Sequence, residues 1–169
     1  MSPIRVLIAD DQALVRGALA TLLGLESDLE VVAQVGRGDE VLDAVREHTV
    51  DVALVDIDMP GRDGLAATAE VVDSDLPCRC LIVTTFGRPG YLSRGMEAGA
   101  AGFIVKDTPP EALAEAIRKV HAGLRVIDPE LAQESVLLGP NPLTEREKEV
   151  LLAAATGADA REIATRLSL

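Results

Sequence analysis

The stretch Val50–Gly61, VDVALVDIDMPG, decides how the rest of the chain reads. Val50, Val52, Ala53, Leu54 and Val55 are apolar without alternation, the pattern of a strand covered on both faces. Asp56 and Asp58 follow at once, and Pro60-Gly61 closes the element. An unpaired carboxylate at the end of a core strand is costly, so these acids need a partner or a task.

Outward from this strand the same alternation repeats. Ile4–Asp10 (IRVLIAD), Glu30–Val35 (EVVAQV), Asp51–Asp56, Cys80–Thr85 (CLIVTT) and Gly102–Asp107 (GFIVKD) read as strands. Helical patterns fall at Gln12–Gly24, Asp39–His48, Leu65–Val72 and Gly90–Ala98, and from Thr108 to His121 ahead of Gly123. The TPPE run at Thr108–Glu111 predicts a capping box with Thr108 as N-cap. Five apolar strands alternating with helices predict an α/β fold. It is a parallel sheet with helices on both faces, in the flavodoxin-like order 2-1-3-4-5. Leu124–Pro142 carries Pro129, Gly139, Pro140 and Pro142 and reads as a linker with a short helix near Asp128–Leu138. Leu143–Gly157 starts a new helix with a Thr144–Glu147 capping box, and Asp159–Leu167 predicts another. The expected division is residues 1–123, a linker over 124–142, and a partial all-α segment over 143–169.

The net charge of −12 argues against nucleic-acid binding by this chain itself. With aromatics at 2%, Val, Leu, Ile and Ala must fill the core. No apolar run has membrane-spanning length and Met1–Asp10 is no signal peptide, so a cytoplasmic protein without membrane contact is expected. Cys78 and Cys80 lack the second pair that a zinc site needs and read as reduced thiols. His48 and His121 end helical segments and read as solvated.

All strands of a parallel sheet point one way, and ligands bind beyond their carboxyl ends. The first strand ends in Asp10-Asp11, the third in Asp56, the fourth in Thr84-Thr85 and the fifth in Lys106. Crowded carboxylates repel unless a cation intervenes, and oxygen-only ligands suit Mg2+. An ionised aspartate can take a phosphoryl group as an acyl phosphate, a transfer that needs positioning and charge neutralisation above all. On this reading Asp56 is the phosphoacceptor. Asp10, Asp11, Asp56 and the main-chain carbonyl of Asp58 hold Mg2+, while Thr84 and Lys106 contact the phosphoryl group.

These residues in this order, with the MPG-x-x-G turn at Met59–Gly64 and the Lys106-Asp107 pair, resemble a response-regulator receiver domain over Ile4–Gly123. LTEREKEVL (Leu143–Leu151) and EIATRLSL (Glu162–Leu169) resemble the start of a LuxR-type helix-turn-helix. That pairing is typical of the NarL/FixJ subfamily of transcription factors. The resemblance implies a sensor histidine kinase as phosphodonor and a homodimer formed on phosphorylation. It also implies DNA binding only through a complete C-terminal domain, whose recognition helix is expected beyond Leu169. It further implies a switch made of Thr84 and Phe103, with Phe103 standing where many receivers have Tyr and expected to follow Thr84 inward.

Between Ala13 and Leu23 only Arg16 and Thr21 are plainly polar. Leu14 and Ala18 are expected on the sheet, leaving Val15, Leu19 and Leu22 as a surface for a second receiver or for the chain's own C-terminal segment. Two other readings touch the same residues. The D-x-D at Asp56–Asp58 occurs in aspartyl-phosphate phosphatases of haloacid-dehalogenase type. There a Thr or Val follows, where Met59-Pro60 stands here, and the acidic pair comes late in the chain. The other is a receiver-like interaction module that is never phosphorylated, against which the intact acid–Thr–Lys set speaks.

Overall fold

Short β-branched runs that are apolar on both sides can be stable only inside a covered parallel sheet. The computed structural model describes residues 2–85, 90–138, 147, 149–151 and 160–166. Its strands are β1 (Ile4–Ala9), β2 (Leu29–Val35), β3 (Val52–Asp56), β4 (Arg79–Thr84), β5 (Gly102–Val105) and β6 (Val126–Ile127). They form one parallel sheet in the order β2-β1-β3-β4-β5-β6. The helices are α1 (Ala13–Leu23), α2 (Val41–His48), α3 (Gly64–Asp73), α4 (Tyr91–Glu97), α5 (Pro110–His121), α6 (Pro129–Leu138) and α7 (Ala160–Arg166).

The period of two along each strand assigns every core residue to a face. Val6, Ile8, Val52, Leu54, Leu81, Val83 and Ile104 pack with Leu23 of α1 and with Leu113, Ile117 and Val120 of α5. On the opposite face Leu7, Ala9, Ala53 and Val55 meet α2 and α3 through Val41, Val45, Ala67 and Val71. Ile82, Phe103 and Val105 continue that face toward α4 and α6. The doubly wound α/β fold is thus the one the sequence pattern predicts.

The sheet has six strands, not five. β5 would otherwise present an unpaired edge, and such edges need cover. Val126 donates its N–H to the Ala101 carbonyl at 3.2 Å and Asp128 to the Phe103 carbonyl at 2.8 Å. A run of two residues is too short to carry a strand pattern, so the edge of β5 and not local preference makes β6. The helix expected within the 124–142 segment is α6. The Asp128 carboxylate accepts from the Glu130 N–H at 2.9 Å to start it, and Leu131 is buried in the core. Most of the helix expected over Leu143–Gly157, its Thr144 cap, and Asp159 lie outside the described residues.

Two local expectations are corrected. In α1 it is Leu23, Leu19 and Ala20 that reach the core, with Val15 half-buried, while Leu14 is 87% exposed. The exposed apolar row is Leu14, Ala18, Leu22 and Leu25, so Val15 and Leu19 do not form an outer surface and Leu22 does. In α5 the capping box does not form. The helix starts at Pro110 with Pro109 as N-cap, and no side chain bonds the first turn. The Thr108 hydroxyl is buried instead with no hydrogen-bond partner among the described residues.

Cys78 and Cys80 are free and buried in the α2–α3 core. Hydrogen bonding to Cys80, then burial, push the Cys78 thiol up, which keeps it from the reactive thiolate form. Among the described residues no helix is long and apolar enough to cross a membrane.

A buried hydroxyl without a partner costs more than the methyl that could replace it. Thr108→Val is therefore expected to raise unfolding stability by about 1 kcal/mol, read as a higher denaturant midpoint at unchanged slope. A lower midpoint would mean that the hydroxyl is served in solution.

Candidate functional site

Continuing the alternation of each strand by one step explains which side chains meet at the carboxyl rim. Asp10 follows Val6 and Ile8, Asp56 follows Val52 and Leu54, and Lys106 follows Ile104, so all three lie on the α1–α5 face. The Lys106 ammonium bridges them, 3.1 Å from Asp10 Oδ2 and 3.2 Å from Asp56 Oδ2. Carboxylate oxygens of Asp10, Asp11 and Asp56 all lie within 4.8 Å of one another. Asp10 and Asp56 are buried and Asp11 is exposed. That set of hard oxygen donors, with one member open to solvent, suits Mg2+, which takes oxygen ligands and keeps several waters.

Electrostatics follow from this crowding. Burial, then the Asp10 charge, push the Asp56 carboxyl up to about 6, and Lys106 offsets only part of the rise. Burial alone would lower Lys106, but Asp56 and Asp10 beside it outweigh that and hold its ammonium above the ordinary value. Below the cluster is a cavity of about 40 Å³ lined by Val15, Leu19, Leu54, Ile104, Leu113 and Thr108 among others.

The turn after β3 is built tightly against Asp56. Gly64 donates its N–H to the Ile57 carbonyl at 2.7 Å, and a Cβ at Gly64 would overlap the Asp56 carbonyl oxygen. The second glycine of the MPG-x-x-G turn is thus a steric requirement of the site. Asp63 then caps α3 by accepting from the Ala66 N–H at 2.8 Å. Asp58 is exposed two residues beyond Asp56.

Thr84 belongs to the other face. It follows Ile82, which packs with Phe103, and its hydroxyl donates to the Thr85 carbonyl at 3.3 Å. Phe103 is already fully buried. Its ring rests on Gly95 of α4, where a Cβ would overlap it, and shares a cluster with Leu131 of α6. Any movement of Phe103 is therefore a repacking between α4 and α6 and not an entry from solvent. Gly95 and Leu131 were not singled out by sequence reading. A helical glycine and one Leu in a linker carry no signal until the fold sets them on the aromatic ring.

Comparison with known proteins agrees with this geometry. The family model "Response regulator receiver domain" matches residues 6–118. The chain is 46% identical over 166 residues to the transcriptional regulatory protein DesR of Bacillus subtilis (strain 168), covering 98% of this chain and 82% of that protein. It is similar in structure to the response regulator ChrA of a heme-sensing two-component system, with TM-score 0.71 and 32% identity over 100% of this chain and 83% of that one. A LuxR-family two-component response regulator from Aurantimonas sp. SI85-9A1 gives TM-score 0.75 at 32% identity, over 80% of this chain and 97% of its own. The chain therefore belongs to the response-regulator receiver family, as a two-component response regulator of the NarL/LuxR type.

Proposed function

We propose that Asp56 accepts a phosphoryl group from the phosphohistidine of a sensor histidine kinase, and that Asp10, Asp11, Asp56 and the main-chain carbonyl of Asp58 hold Mg2+. The observation that carries this reading is Lys106 bridging Asp10 and Asp56 within the three-carboxylate cluster. Bound Mg2+ would supply the positive charge that lets the acids and an incoming phosphoryl group share the rim. An ionised Asp56 oxygen attacks phosphorus, the P–N bond breaks, and the imidazole leaves with the electron pair. Lys106 is placed to neutralise the phosphoryl oxygens. Beyond the acyl phosphate the only further chemistry is slow self-dephosphorylation, so the protein acts as a regulator and not as an enzyme, and its place is the cytoplasm.

The output runs through Thr84. Its hydroxyl leaves the Thr85 carbonyl for a phosphoryl oxygen, which disturbs the face it shares with Phe103. Phe103 in turn touches α6, so the segment over 124–142 registers the event and passes it toward the 143–169 segment, the start of a LuxR-type helix-turn-helix. DNA is bound only through the complete C-terminal domain. Phosphorylation also pairs two copies, and the exposed row Leu14, Ala18, Leu22 and Leu25 of α1 and the turn after it is the surface offered.

Acetyl phosphate with Mg2+ is expected to add one phosphoryl mass to wild type and none to Asp56→Asn. An Asp56→Asn protein that labels at the wild-type rate places the acceptor elsewhere. The same variant has a metal-free signature. The folded-state value of Asp56 lies near 6, above the ordinary carboxylate value, so folding favours its protonated form. Wild type then loses stability as pH rises from about 4 to about 6. Asp56→Asn should be the more stable protein at pH 7 in metal-free buffer, and that gap should close as pH falls toward about 4. A gap independent of pH would remove the charge explanation.

Thr84→Ala is expected to label normally but to lose the phosphorylation-dependent change in amide hydrogen exchange over Pro129–Leu138. An undiminished change would take Thr84 out of the output path. For pairing, Leu14→Asp is the informative substitution, because Leu19 packs against the core and its replacement would test folding. Phosphorylated Leu14→Asp should sediment as a monomer under conditions where phosphorylated wild type is a dimer. Equal masses would rule out this face.

A further inference from the structure

Resting on the proposed Mg2+ reading, we infer that Arg16 is a positioning residue for the metal-binding acids, and that Gly36 keeps open the slot in which it works. Arg16 belongs to the inward stripe of α1, one turn before Leu19 and Ala20 and two before Leu23, and is half-buried. A guanidinium on a buried stripe needs a partner. Among the described residues Arg16 makes no ion pair, although it reaches the residue that carries one of the three clustered carboxylates. Its Nη1 donates instead to the main-chain carbonyl of Asp10, at 2.6 Å. Guanidinium groups ordinarily favour the two-pronged match of a carboxylate, so this choice of a carbonyl calls for a reason.

The reason lies in how Asp10 is held. Its N–H donates to the Val35 carbonyl at 3.1 Å, and its Oδ1 accepts from the Gln12 N–H at 2.9 Å. Its Oδ2 faces the Lys106 ammonium at 3.1 Å, and its carbonyl is taken by Arg16 at 2.6 Å. Asp10 is 3% exposed, so each of these groups would be expensive to leave unpaired. The carbonyl of Asp10 belongs to the peptide that leads into Asp11. Fixing it fixes the plane of that peptide, and with it the start of the exposed Asp11 side chain. Among the described residues no hydrogen bond or ion pair restrains the exposed Asp11 side chain, so its carboxylate joins the cluster through the backbone that Arg16 holds.

Gly36, just past β2, is the independent observation. A Cβ there would stand 3.1 Å from Arg16 Nη1, tighter than ordinary packing, and 3.6 Å from its Cζ, in ordinary contact. A side chain at 36 would press on the guanidinium and require it to give by a few tenths of an ångström. Two positions twenty residues apart are thus matched to one contact on the acidic turn.

Calorimetric titration of Mg2+ into the unphosphorylated protein tests this without reference to phosphoryl transfer. Loss of a group that orients metal ligands typically weakens binding by about 10–100-fold. Arg16→Ala is expected at the lower end, about tenfold, with Arg16→Lys intermediate because an ammonium can still donate to the carbonyl. Gly36→Ala should weaken Mg2+ in the same direction. The Arg16→Ala/Gly36→Ala pair should be no weaker than Arg16→Ala alone, since both changes break one contact. Unfolding midpoints in metal-free buffer, taken in parallel, separate ligand geometry from general loss of structure. If Arg16→Ala does not fold, Arg16→Lys and Gly36→Ala carry the test. Wild-type Mg2+ affinity in the folded variants, or a fully additive loss in the double variant, would overturn the role of Arg16. A wild type that binds no Mg2+ would instead overturn the reading of the site itself.

Discussion

Lys106 is the group on which the rim depends. Three carboxylates drawn to within 4.8 Å of one another would repel, and two of them are buried. The Lys106 ammonium stands between Asp10 and Asp56 at 3.1 and 3.2 Å. One positive charge against three negative ones leaves the balance incomplete, and Asp56 remains raised to about 6. The metal-free site is therefore electrostatically strained in a particular direction: it gains from any added cation. On the proposed reading a divalent cation would take over the acids and free Lys106 to meet the phosphoryl oxygens.

The strict alternation of the strands then divides the labour. Asp10, Asp56 and Lys106 continue the α1–α5 face, whereas Thr84 continues the face of Ile82, Phe103 and Val105. On the proposed reading chemistry and response are on opposite sides of one sheet and meet at its carboxyl edge. This is why the Thr84 hydroxyl can rest on the Thr85 carbonyl while the acids pair with Lys106. A group that bonds both Asp56 and Thr84 must straddle the sheet edge, and an acyl phosphate on Asp56 has the oxygens to do so.

The sheet, its strand order and the rim residues were legible because they rest on short-range rules. Apolar runs mark buried strands, and the residue that ends a run marks the rim. Other features were hidden for identifiable reasons. In α1 the rows Leu14–Ala18–Leu22 and Val15–Leu19–Leu23 are both apolar, so periodicity does not choose between them. Tertiary packing makes the choice: Leu19 and Leu23 meet the core on the same side as Arg16, which bonds the Asp10 carbonyl. Thr108 carries the local signature of a helix cap, but two prolines after it shift the start of α5 to Pro110. β6 exists because β5 has an edge to cover, which is a property of the assembled sheet. Part of the C-terminal segment, including the Thr144 cap, lies outside the described residues and stays a reading of sequence alone.

The same edge gives the 124–142 segment its mechanical meaning. Among the described residues its attachment includes a two-residue strand with Val126 packed on the core, a hydrogen bond from Asp128 to the Phe103 carbonyl, and Leu131 in the cluster around Phe103. Burying one Leu contributes about 1.5–3 kcal/mol, and a pairing this short adds little of its own, since brief edge strands are marginal. Coupling energies between sites in switching proteins are typically about 1–3 kcal/mol. The two magnitudes are alike. An attachment of tens of kcal/mol would ignore the state of Asp56, and one worth far less would be open in every state. Because Phe103 is both a strand partner of β6 and a neighbour of Leu131 in one cluster, a modest change in its packing against Gly95 would act on the strand pairing and on α6 together. On the proposed reading, a weak hold centred on one aromatic residue would allow an event at Asp56 to be read beyond the receiver.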